Sequence, residues 1–406
     1  MSGFLVSRCR AADDGFIRRR GPDLTWTLEL EDYRFTQCLA RVTGEVTPRP
    51  SADDGVVALF DGEIYDRPAG TGAGEALIRL FRQHGEDFAR HLDGEFAAAV
   101  TDLGRRIMVL ATDPFATKPL FVNGTEAASS LGALGGGERV AANTVIVLDL
   151  DRGESRRSIL APFDFDHQHK QSYDDWFAAF EGAVRKRAVD GCYLPLSAGY
   201  DSGAIDCALA RLGIAYKVYS VEGIENLELL RRRNVTGEIL RMDVETFAEQ
   251  RAFLRRHGDA ASFRVKVVAD DGDEETYEPL EDGASCGLAL IHSRARSEGR
   301  RVFLSGTGAD EILAEYRRQW PEQLRPWPTF VGGWRAAYQG KEELVAGAFG
   351  VEGRYPFLDR AAVQEFLWLS PELKSRHYKA PLHEYMTRHG YPFDENVKRG
   401  FLPLCR

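Results

Sequence analysis

The segment "LPLSAGYDSGAI", Leu194 to Ile205, indicates the fold of the second half of the chain. A short apolar run ends at Ser197, and two glycines, an aspartate and a second serine come before a new apolar run. This order predicts a buried strand, a tight turn and the start of a helix. Such a turn directs backbone N–H groups and the positive end of the helix dipole at one point, which favours an anion such as phosphate. A serine-capped connecting turn is the alternative, because the GxxxxGK[ST] pattern of a Walker A loop is absent.

A second stretch of the same kind is "LSGTGADEI", Leu304 to Ile312, which also follows an apolar run. Its glycines precede Asp310 and Glu311, and carboxylates of this kind are the hard oxygen ligands of the Mg²⁺ that accompanies polyphosphates. A surface glycine turn with an aspartate at the helix N-cap is the alternative interpretation. Together the two loops predict a site for a phosphorylated ligand.

Around these loops, from Ser172 onward, predicted strands alternate with predicted helices. This alternation is typical of an α/β domain with a parallel, doubly wound sheet. In such sheets ligands bind beyond the carboxyl ends of the strands, and both loops lie at such ends.

The first half of the chain has a different pattern, with short strands, glycine-rich turns and few helices. We expect a hairpin at Leu103-Gly104, a turn at Asp61-Gly62 and one amphipathic helix in "GEALIRLFRQHG". The pattern predicts an α+β domain with mostly antiparallel strands. A polar stretch at roughly 150–170 is the expected linker, so the predicted domains are residues 1–155 and 165–406.

The overall composition excludes several classes of protein. The 406 residues carry a net charge of −10, which argues against nucleic acid as a partner. No apolar run is long enough for a membrane span, and the N-terminus lacks a signal-peptide pattern. Six scattered cysteines without CxxC spacing are typical of reduced thiols. We therefore expect a cytoplasmic protein, and a homodimer is compatible with the sequence.

At the level of motifs, the C-terminal half resembles the synthetase domain of asparagine synthetases, a family that includes β-lactam synthetases and lasso-peptide cyclases. Besides the two loops, the resemblance includes "GVEGRYPFLDRAAVQEFLWLSPELK" and "YKAPLHEYM…KRGF". The N-terminal half resembles the glutaminase domain of the same family in "RGPD", "TGEVTPRP", "FDGEIYD", "LDGEFAAAV" and "TDPFATKPLF". The resemblance implies an Ntn-hydrolase-like sandwich followed by an adenine-nucleotide hydrolase-like domain of the PP-loop type.

The family chemistry implies that a substrate carboxylate attacks ATP, that pyrophosphate leaves, and that an amine displaces AMP from the acyl-adenylate. The residues that match the family's pyrophosphate loop are Ser197, Gly199, Asp201 and Ser202, with Mg²⁺ near Asp201 and Asp310. Those that match the nucleoside pocket are Leu196, Val221, Ser305 and Gly306. Lys379 matches the lysine that stabilises developing negative charge, with Lys398 as a possible addition. Glu352 and Arg354 are either an ion pair that supports the site or a purely structural pair.

Three departures from the family pattern limit what can be carried over. Ser2 stands where the glutaminase needs a cysteine nucleophile, and Asp61-Gly62-Glu63 replaces the glutamine-holding N-G-E. We therefore expect glutamine hydrolysis to be lost, with residual hydrolysis by Ser2 as the alternative. Thr307 stands where asparagine synthetases have an acid and β-lactam synthetases a tyrosine, so neither acceptor chemistry carries over simply.

The sequence thus predicts an ATP- and Mg²⁺-dependent ligase that joins a small-molecule or peptide carboxylate to an amine that glutamine does not supply. It is expected to act in specialised biosynthesis, by intramolecular cyclisation or by amidation of a small molecule. The alternatives are an ammonia-dependent asparagine synthetase and a catalytically silent nucleotide-binding scaffold. A tRNA-modifying or sulfur-transfer enzyme is a further alternative, but it would need a catalytic cysteine pair and a basic surface, and the sequence indicates neither. The aromatic segment from Tyr316 to Trp334 is interpreted either as core packing between helices or as an apolar substrate pocket or lid.

Overall fold

The computed structural model describes residues 2–8, 14–42, 51–68, 70–222, 227–233, 237–268, 274–313 and 334–395. The chain divides into two compact units. The first comprises Met1–Pro162 with Gly347–Glu352, and the second comprises Phe163–Ala346 with Gly353–Arg406. Among the helices that the structure describes, none combines the length and the apolar character needed to cross a membrane.

The first unit contains two six-stranded sheets, and every strand pairing given for them is antiparallel. One sheet has the order β10-β8-β9-β1-β3-β2, with strands β1 Ser2–Arg8, β2 Leu24–Leu30, β3 Tyr33–Leu39, β8 Phe121–Asn123, β9 Glu126–Ala128 and β10 Glu138–Arg139. The other has the order β12-β11-β7-β6-β5-β4, with strands β4 Ser51–Asp53, β5 Val56–Ile64, β6 Gly94–Asp102, β7 Ile107–Thr112, β11 Thr144–Asp149 and β12 Ser155–Ile159.

The alternation of side chains along these strands builds the core of the first unit. On β5, Val57 and Leu59 face one way and pack with Phe4 and Phe35 of the other sheet. Val56 and Ala58 face the other way and pack against helix α2, Ala73–His84. Two short helices, α1 Gly15–Arg20 and α3 Leu131–Leu134, cover the outer face of the first sheet. The expected sandwich is confirmed.

The second unit is built on a five-stranded sheet of order β15-β14-β13-β18-β19. Its strands are β13 Tyr193–Pro195, β14 Lys217–Val221, β15 Glu238–Leu240, β18 Val302–Leu304 and β19 Glu352–Arg354. The pairings of β13 with β14 and with β18, and of β14 with β15, are parallel, which confirms the predicted α/β class. A separate antiparallel hairpin joins β16 Val265–Val268 to β17 Glu274–Tyr277.

The helices of the second unit precede, connect or follow these strands in the chain. They are α4 Asp174–Arg187, α5 Tyr200–Arg211, α6 Leu227–Arg233, α7 Val244–His257, α8 Ala260–Phe263, α9 Gly283–Ser297, α10 Ala309–Leu313, α11 Trp334–Phe349, α12 Arg360–Trp368, α13 Pro371–Ser375 and α14 Ala380–Arg388.

One local prediction was wrong, while the predicted hairpin at Leu103-Gly104 is confirmed by the pairing of β6 with β7. Asp61 and Gly62 lie inside β5 instead of forming a turn. Gly62 has a φ of 110°, and a Cβ there would lie 1.9 Å from the carbonyl oxygen of Glu95. The glycine therefore allows β5 to lie close to β6, and it does not reverse the chain. The stretch expected as linker contains the strand β12, an exposed edge strand that pairs with β11 and has no apolar alternation to reveal it.

Candidate functional site

The first loop follows β13 and ends where α5 begins. The backbone nitrogen of Ser197 donates to Ser202 Oγ at 3.0 Å, and that of Gly199 donates to Ser197 Oγ at 3.1 Å. The hydroxyl oxygens of Ser197 and Ser202 lie 3.0 Å apart. The two serines thus hold the turn in a compact form at the N-terminus of a twelve-residue helix, where the helix dipole favours negative charge.

The second loop follows the neighbouring strand β18 and lies directly against the first. A Cβ on Gly306 would lie 2.8 Å from Asp201 Cβ and 3.2 Å from the backbone nitrogen of Ser202, so only glycine allows this approach. The backbone nitrogen of Thr307 donates to Ser305 Oγ at 2.9 Å. The structure therefore brings the two predicted loops together at the carboxyl edge of the sheet.

Lys379 lies between the acids of the two loops. Its Nζ pairs with Asp201 Oδ1 and lies 2.9 Å from Asp310 Oδ1, which also accepts from the Tyr378 hydroxyl at 3.0 Å. Lys379 directly precedes α14, and its backbone has a φ of 48°, which is a left-handed conformation. Burial by itself would lower the pKa of Lys379, but the carboxylates of Asp201 and Asp310 raise it, so the lysine stays charged.

The two carboxylates are also the expected magnesium ligands. Their side chains are 25% and 18% exposed for Asp201 and Asp310, whereas Lys379 is 2% exposed, so the carboxylates face solvent and the cation does not. Two hard oxygen ligands suit Mg²⁺ when phosphate oxygens complete the coordination. No cluster of three or more His, Cys, Asp or Glu side chains occurs in the described ranges, so the protein alone does not make a full metal cage there.

The residues expected to line a nucleoside pocket lie at the ends of adjacent strands. Leu196 donates from its nitrogen to the carbonyl of Tyr219 at 2.9 Å and accepts from Ser220 Oγ at 2.8 Å. Val221 is the last residue of β14, and Ser305 follows β18. All three are at least 97% buried, and the strands that they follow or end, β13, β14 and β18, are neighbours in the sheet.

Thr307 has a partner that the sequence did not indicate. Its hydroxyl donates to Glu342 Oε1 at 2.8 Å. Within the described residues, Glu342 Oε2 is inaccessible to solvent and has no hydrogen-bond partner. Burial raises the pKa of Glu342, while hydrogen bonds with Ser305 and Thr307 oppose the shift. Glu342 lies 35 residues beyond Thr307 on α11, and no spacing rule connects the two.

The remaining residues predicted for the synthetase site fall into two groups. Glu352 and Arg354 are buried in β19, and Arg354 donates to the carbonyl of Arg187 at 3.0 Å while its own carbonyl accepts from the nitrogen of Ser305 at 2.8 Å. Arg354 thus supports the second loop through the backbone. Lys398 and the aromatic segment up to residue 333 lie outside the described residues.

The residues of the predicted degenerate glutaminase site come together in the first unit. The backbone nitrogen of Ser2 donates to Asp61 Oδ1 at 2.9 Å, and Asp61 Oδ2 lies 2.7 Å from Arg20 Nη2. Arg20 Nε also donates to the carbonyl of Ser2 at 3.3 Å. Asp61 and Arg20 are fully or almost fully buried, and Glu63 forms an ion pair with Arg67 at 3.2 Å. The sequence did not indicate that Arg20 belongs to this site, although it is the first residue of the quoted "RGPD" motif.

Comparison with known proteins supports both halves of this description. The glutamine amidotransferase domain family matches residues 39–134, and the asparagine synthase family matches residues 178–348. Asparagine synthetase [glutamine-hydrolyzing] 2 of Arabidopsis thaliana is 26% identical over 402 residues, which cover 88% of this chain and 67% of the relative. A putative asparagine synthetase [glutamine-hydrolyzing] 1 of Methanocaldococcus jannaschii is 25% identical, with 81% and 67% covered.

A third relative carries a different name. Amidase chyE of Penicillium rubens is 24% identical over 368 residues, which cover 74% of this chain and 54% of that protein. The chain thus spans about two thirds of the length of the asparagine synthetases and about half that of the amidase. With an amidotransferase-type sandwich followed by a synthetase domain, the chain belongs to the asparagine synthase family of AMP-forming ligases that make C–N bonds.

Proposed function

We propose that this protein is an ATP-dependent ligase that adenylates a carboxylate, releases pyrophosphate and couples the acyl group to an amine that does not come from glutamine. The observation that carries the proposal is the contrast between the two sites. Asp201, Asp310 and Lys379 converge at two loops that suit a polyphosphate. Ser2 and Asp61, in contrast, are bound to each other and to Arg20.

In the first half-reaction, a carboxylate oxygen of the substrate forms a bond to the α-phosphorus of ATP, and the bond to the β-phosphate oxygen breaks. The first loop holds the departing pyrophosphate through backbone N–H groups and the hydroxyls of Ser197 and Ser202. Lys379 stabilises the negative charge that develops, because its charge is fixed in place before the reaction by two carboxylates. Mg²⁺ held by Asp201 and Asp310 would neutralise phosphate charge.

In the second half-reaction, the amine nitrogen attacks the acyl carbon, the bond to the AMP oxygen breaks and the nitrogen loses a proton. We assign that proton to Glu342, whose carboxylate is held by the Thr307 hydroxyl. A raised pKa makes this glutamate a better proton acceptor than an ordinary one. The Thr307–Glu342 pair thus supplies a carboxylate at the loop position where the sequence has none.

The test is isotope exchange between labelled pyrophosphate and ATP by the full-length protein, with Mg²⁺ and a panel of carboxylic acids that includes aspartate and short peptides. Exchange that depends on one class of acid supports the ligase and identifies the acid. No exchange with any acid, together with no ATP binding in calorimetry, supports a nucleotide-independent scaffold and rejects the proposal.

A second experiment identifies the nitrogen source. The acid that supports exchange is incubated with ATP and with glutamine, ammonium or a panel of primary amines, and AMP and amide are measured. We expect no amide from glutamine, and no difference between the wild type and Ser2→Ala. Glutamine-dependent turnover that is lost in Ser2→Ala would reject the amine part of the proposal. Turnover with aspartate and ammonium alone would identify an ammonia-dependent asparagine synthetase.

A further inference from the structure

Arg233, the last residue of α6, forms hydrogen bonds with the pyrophosphate loop from the side of the backbone carbonyls. Its Nη1 donates to the carbonyl of Ser197 at 2.6 Å and to that of Gly199 at 2.7 Å. Its Nε donates to the carbonyl of Pro392 at 3.0 Å, and the side chain is largely buried. One planar guanidinium therefore binds three backbone carbonyls, two of which belong to the loop.

These contacts set the direction of the peptide groups in the loop. In a trans peptide the C=O of one residue and the N–H of the next point in opposite directions, and the described chain has no cis peptide. When the carbonyls of Ser197 and Gly199 point at Arg233, the N–H groups of Ala198 and Tyr200 therefore point away from it. Backbone N–H groups that share a direction favour an anion, and those of Ala198 and Tyr200 alternate with the N–H of Gly199, which donates to Ser197 Oγ.

The neighbouring residues are arranged around this guanidinium. A Cβ on Gly203, one turn into α5, would lie 2.9 Å from Arg233 Cζ, so a larger residue there would require the guanidinium to shift. The guanidinium also lies over the ring of Tyr391, 5.4 Å from its centroid. The Tyr391 hydroxyl donates at 2.6 Å to Oδ2 of Asp206, which lies on α5 as Gly203 does. The segment after α14 is thereby bound to α5, the helix that follows the first loop.

We infer that Arg233 is a positioning residue that orients the loop's N–H groups for the β- and γ-phosphates of ATP and for pyrophosphate, and that couples this loop to the segment at Tyr391 and Pro392. The inference rests on the proposed function, because it takes the first loop as the pyrophosphate site. Arg233 acts through the backbone of the loop. Its loss therefore reduces the binding of the phosphate chain and not that of the nucleoside.

The experiment measures, by calorimetry on the full-length protein, the dissociation constants of Mg²⁺–pyrophosphate and of adenosine. For Arg233→Met we expect pyrophosphate binding to weaken about tenfold or more, while adenosine binding changes less than about twofold, since two charge-assisted hydrogen bonds to the loop are lost. Arg233→Lys should recover part of the affinity, because one ammonium restores the charge but not the planar fork. The control Arg232→Met removes an exposed positive charge from the adjacent residue of α6 and should leave both constants unchanged.

A second variant tests the same inference with the arginine still present. Gly203→Ala adds a methyl group where the guanidinium lies and should weaken pyrophosphate binding as Arg233→Met does. Its matched control is Gly182→Ala in the helix α4, where a Cβ meets nothing within 4 Å. Thermal unfolding of each variant shows whether it folds. If Arg233→Met does not fold, the comparison of Gly203→Ala with Gly182→Ala provides the test.

The outcomes separate the two proposals. Unchanged pyrophosphate affinity in folded Arg233→Met or Gly203→Ala overturns the role of Arg233 and leaves the ligase proposal in place. Equal losses for pyrophosphate and adenosine indicate general destabilisation and also overturn it. A wild-type protein that binds neither ATP nor pyrophosphate contradicts the proposed function, and the inference about Arg233 is rejected with it.

Discussion

The two candidate sites contain similar chemical groups but in different proportions. In the first unit, one buried carboxylate, Asp61, is matched by one buried guanidinium, Arg20, and their side chains are 0% and 4% exposed. In the second unit, one buried ammonium, Lys379, is matched by two carboxylates that remain partly open to solvent. The first arrangement is neutral and closed, whereas the second has an excess negative charge at its surface.

The same ion-pair chemistry serves structure in the first unit and suits ligand binding in the second. A buried one-to-one pair mainly avoids the cost of leaving either charge alone, so it has little capacity to bind a further ion. Two carboxylates and one cation together carry a net negative charge, and solvent access allows the magnesium ion of a nucleotide complex to approach it. The structure therefore favours ligand binding in the second unit.

A third buried cation completes the comparison. Lys374 on α13 is 1% exposed and donates from Nζ to Gln168 Oε1 at 2.8 Å and to the carbonyl of Leu367 at 2.7 Å. Both acceptors are neutral. Burial lowers the pKa of Lys374 to about 7. Arg20, Lys379 and Lys374 thus have one, two and no carboxylate acceptors among these contacts.

The largest effect is expected at the open site. Lys379→Met should reduce the rate of pyrophosphate exchange about 10³-fold, because it removes a preorganised positive charge from the departing pyrophosphate. The control is Lys217→Met at the start of β14, the opposite end of that strand from Val221, which should leave exchange unchanged. Exchange at the wild-type rate in Lys379→Met would remove this lysine from the chemistry.

The next largest effect is expected at the closed site. Arg20→Met should lower the opening free energy of β1 and β5 by about 3–5 kcal/mol, because Asp61 would be left buried without its counterion. Hydrogen–deuterium exchange of the full-length protein measures this, and the exposed pair of Arg18 and Asp14 provides the control variant Arg18→Met. The double variant Arg20→Met/Asp61→Leu should recover most of the loss. Similar protection in Arg20→Met and Arg18→Met would contradict a structural role for the pair.

A smaller effect is expected at Glu342, whose carboxylate accepts from the Thr307 hydroxyl. Glu342→Gln should reduce turnover about 10²-fold and remove the acidic limb of the pH–rate profile. Since burial raises the pKa of Glu342, the ionised form is lost as the pH falls through that raised value, so wild-type turnover should decline at a higher pH than an ordinary glutamate would cause. Glu343→Gln changes the next residue, which accepts from the Tyr355 hydroxyl, and should keep the acidic limb. An unchanged pH profile in Glu342→Gln would exclude this glutamate as the proton acceptor.

The smallest effect is expected at Lys374, whose two hydrogen-bond acceptors are neutral. Because the folded-state pKa of Lys374 is below its unfolded value, the unfolded chain binds more protons between about pH 7 and 10, and stability should rise with pH in that window. Lys374→Met should remove this slope and stabilise the second unit at pH 7 by about 1–2 kcal/mol. Urea unfolding at pH 7 and pH 9 measures the difference, and equal slopes for the two proteins would show that Lys374 stays protonated in the folded state.

Much of the fold and part of the site could be predicted, because both depend on short-range patterns. The strand–turn–helix order around Ser197 and the order of the motifs are local features, and the two loops meet as the strand pattern predicts. The strand β12 and the position of Asp61-Gly62 could not be predicted in the same way. An exposed edge strand has no apolar alternation, and a glycine inside a strand has the same letters as a turn.

The two domains, the two loops and the identity of Ser2, Asp61 and Thr307 follow from the amino-acid sequence, since each is a local property of the chain. Which charges meet depends on the tertiary structure. It placed Arg20 on Asp61, Lys379 between Asp201 and Asp310, Glu342 on Thr307 and Arg233 behind the first loop. These contacts join residues between 34 and 178 positions apart. The energy of an ion pair or hydrogen bond depends on distance and burial in space, which sequence spacing does not encode.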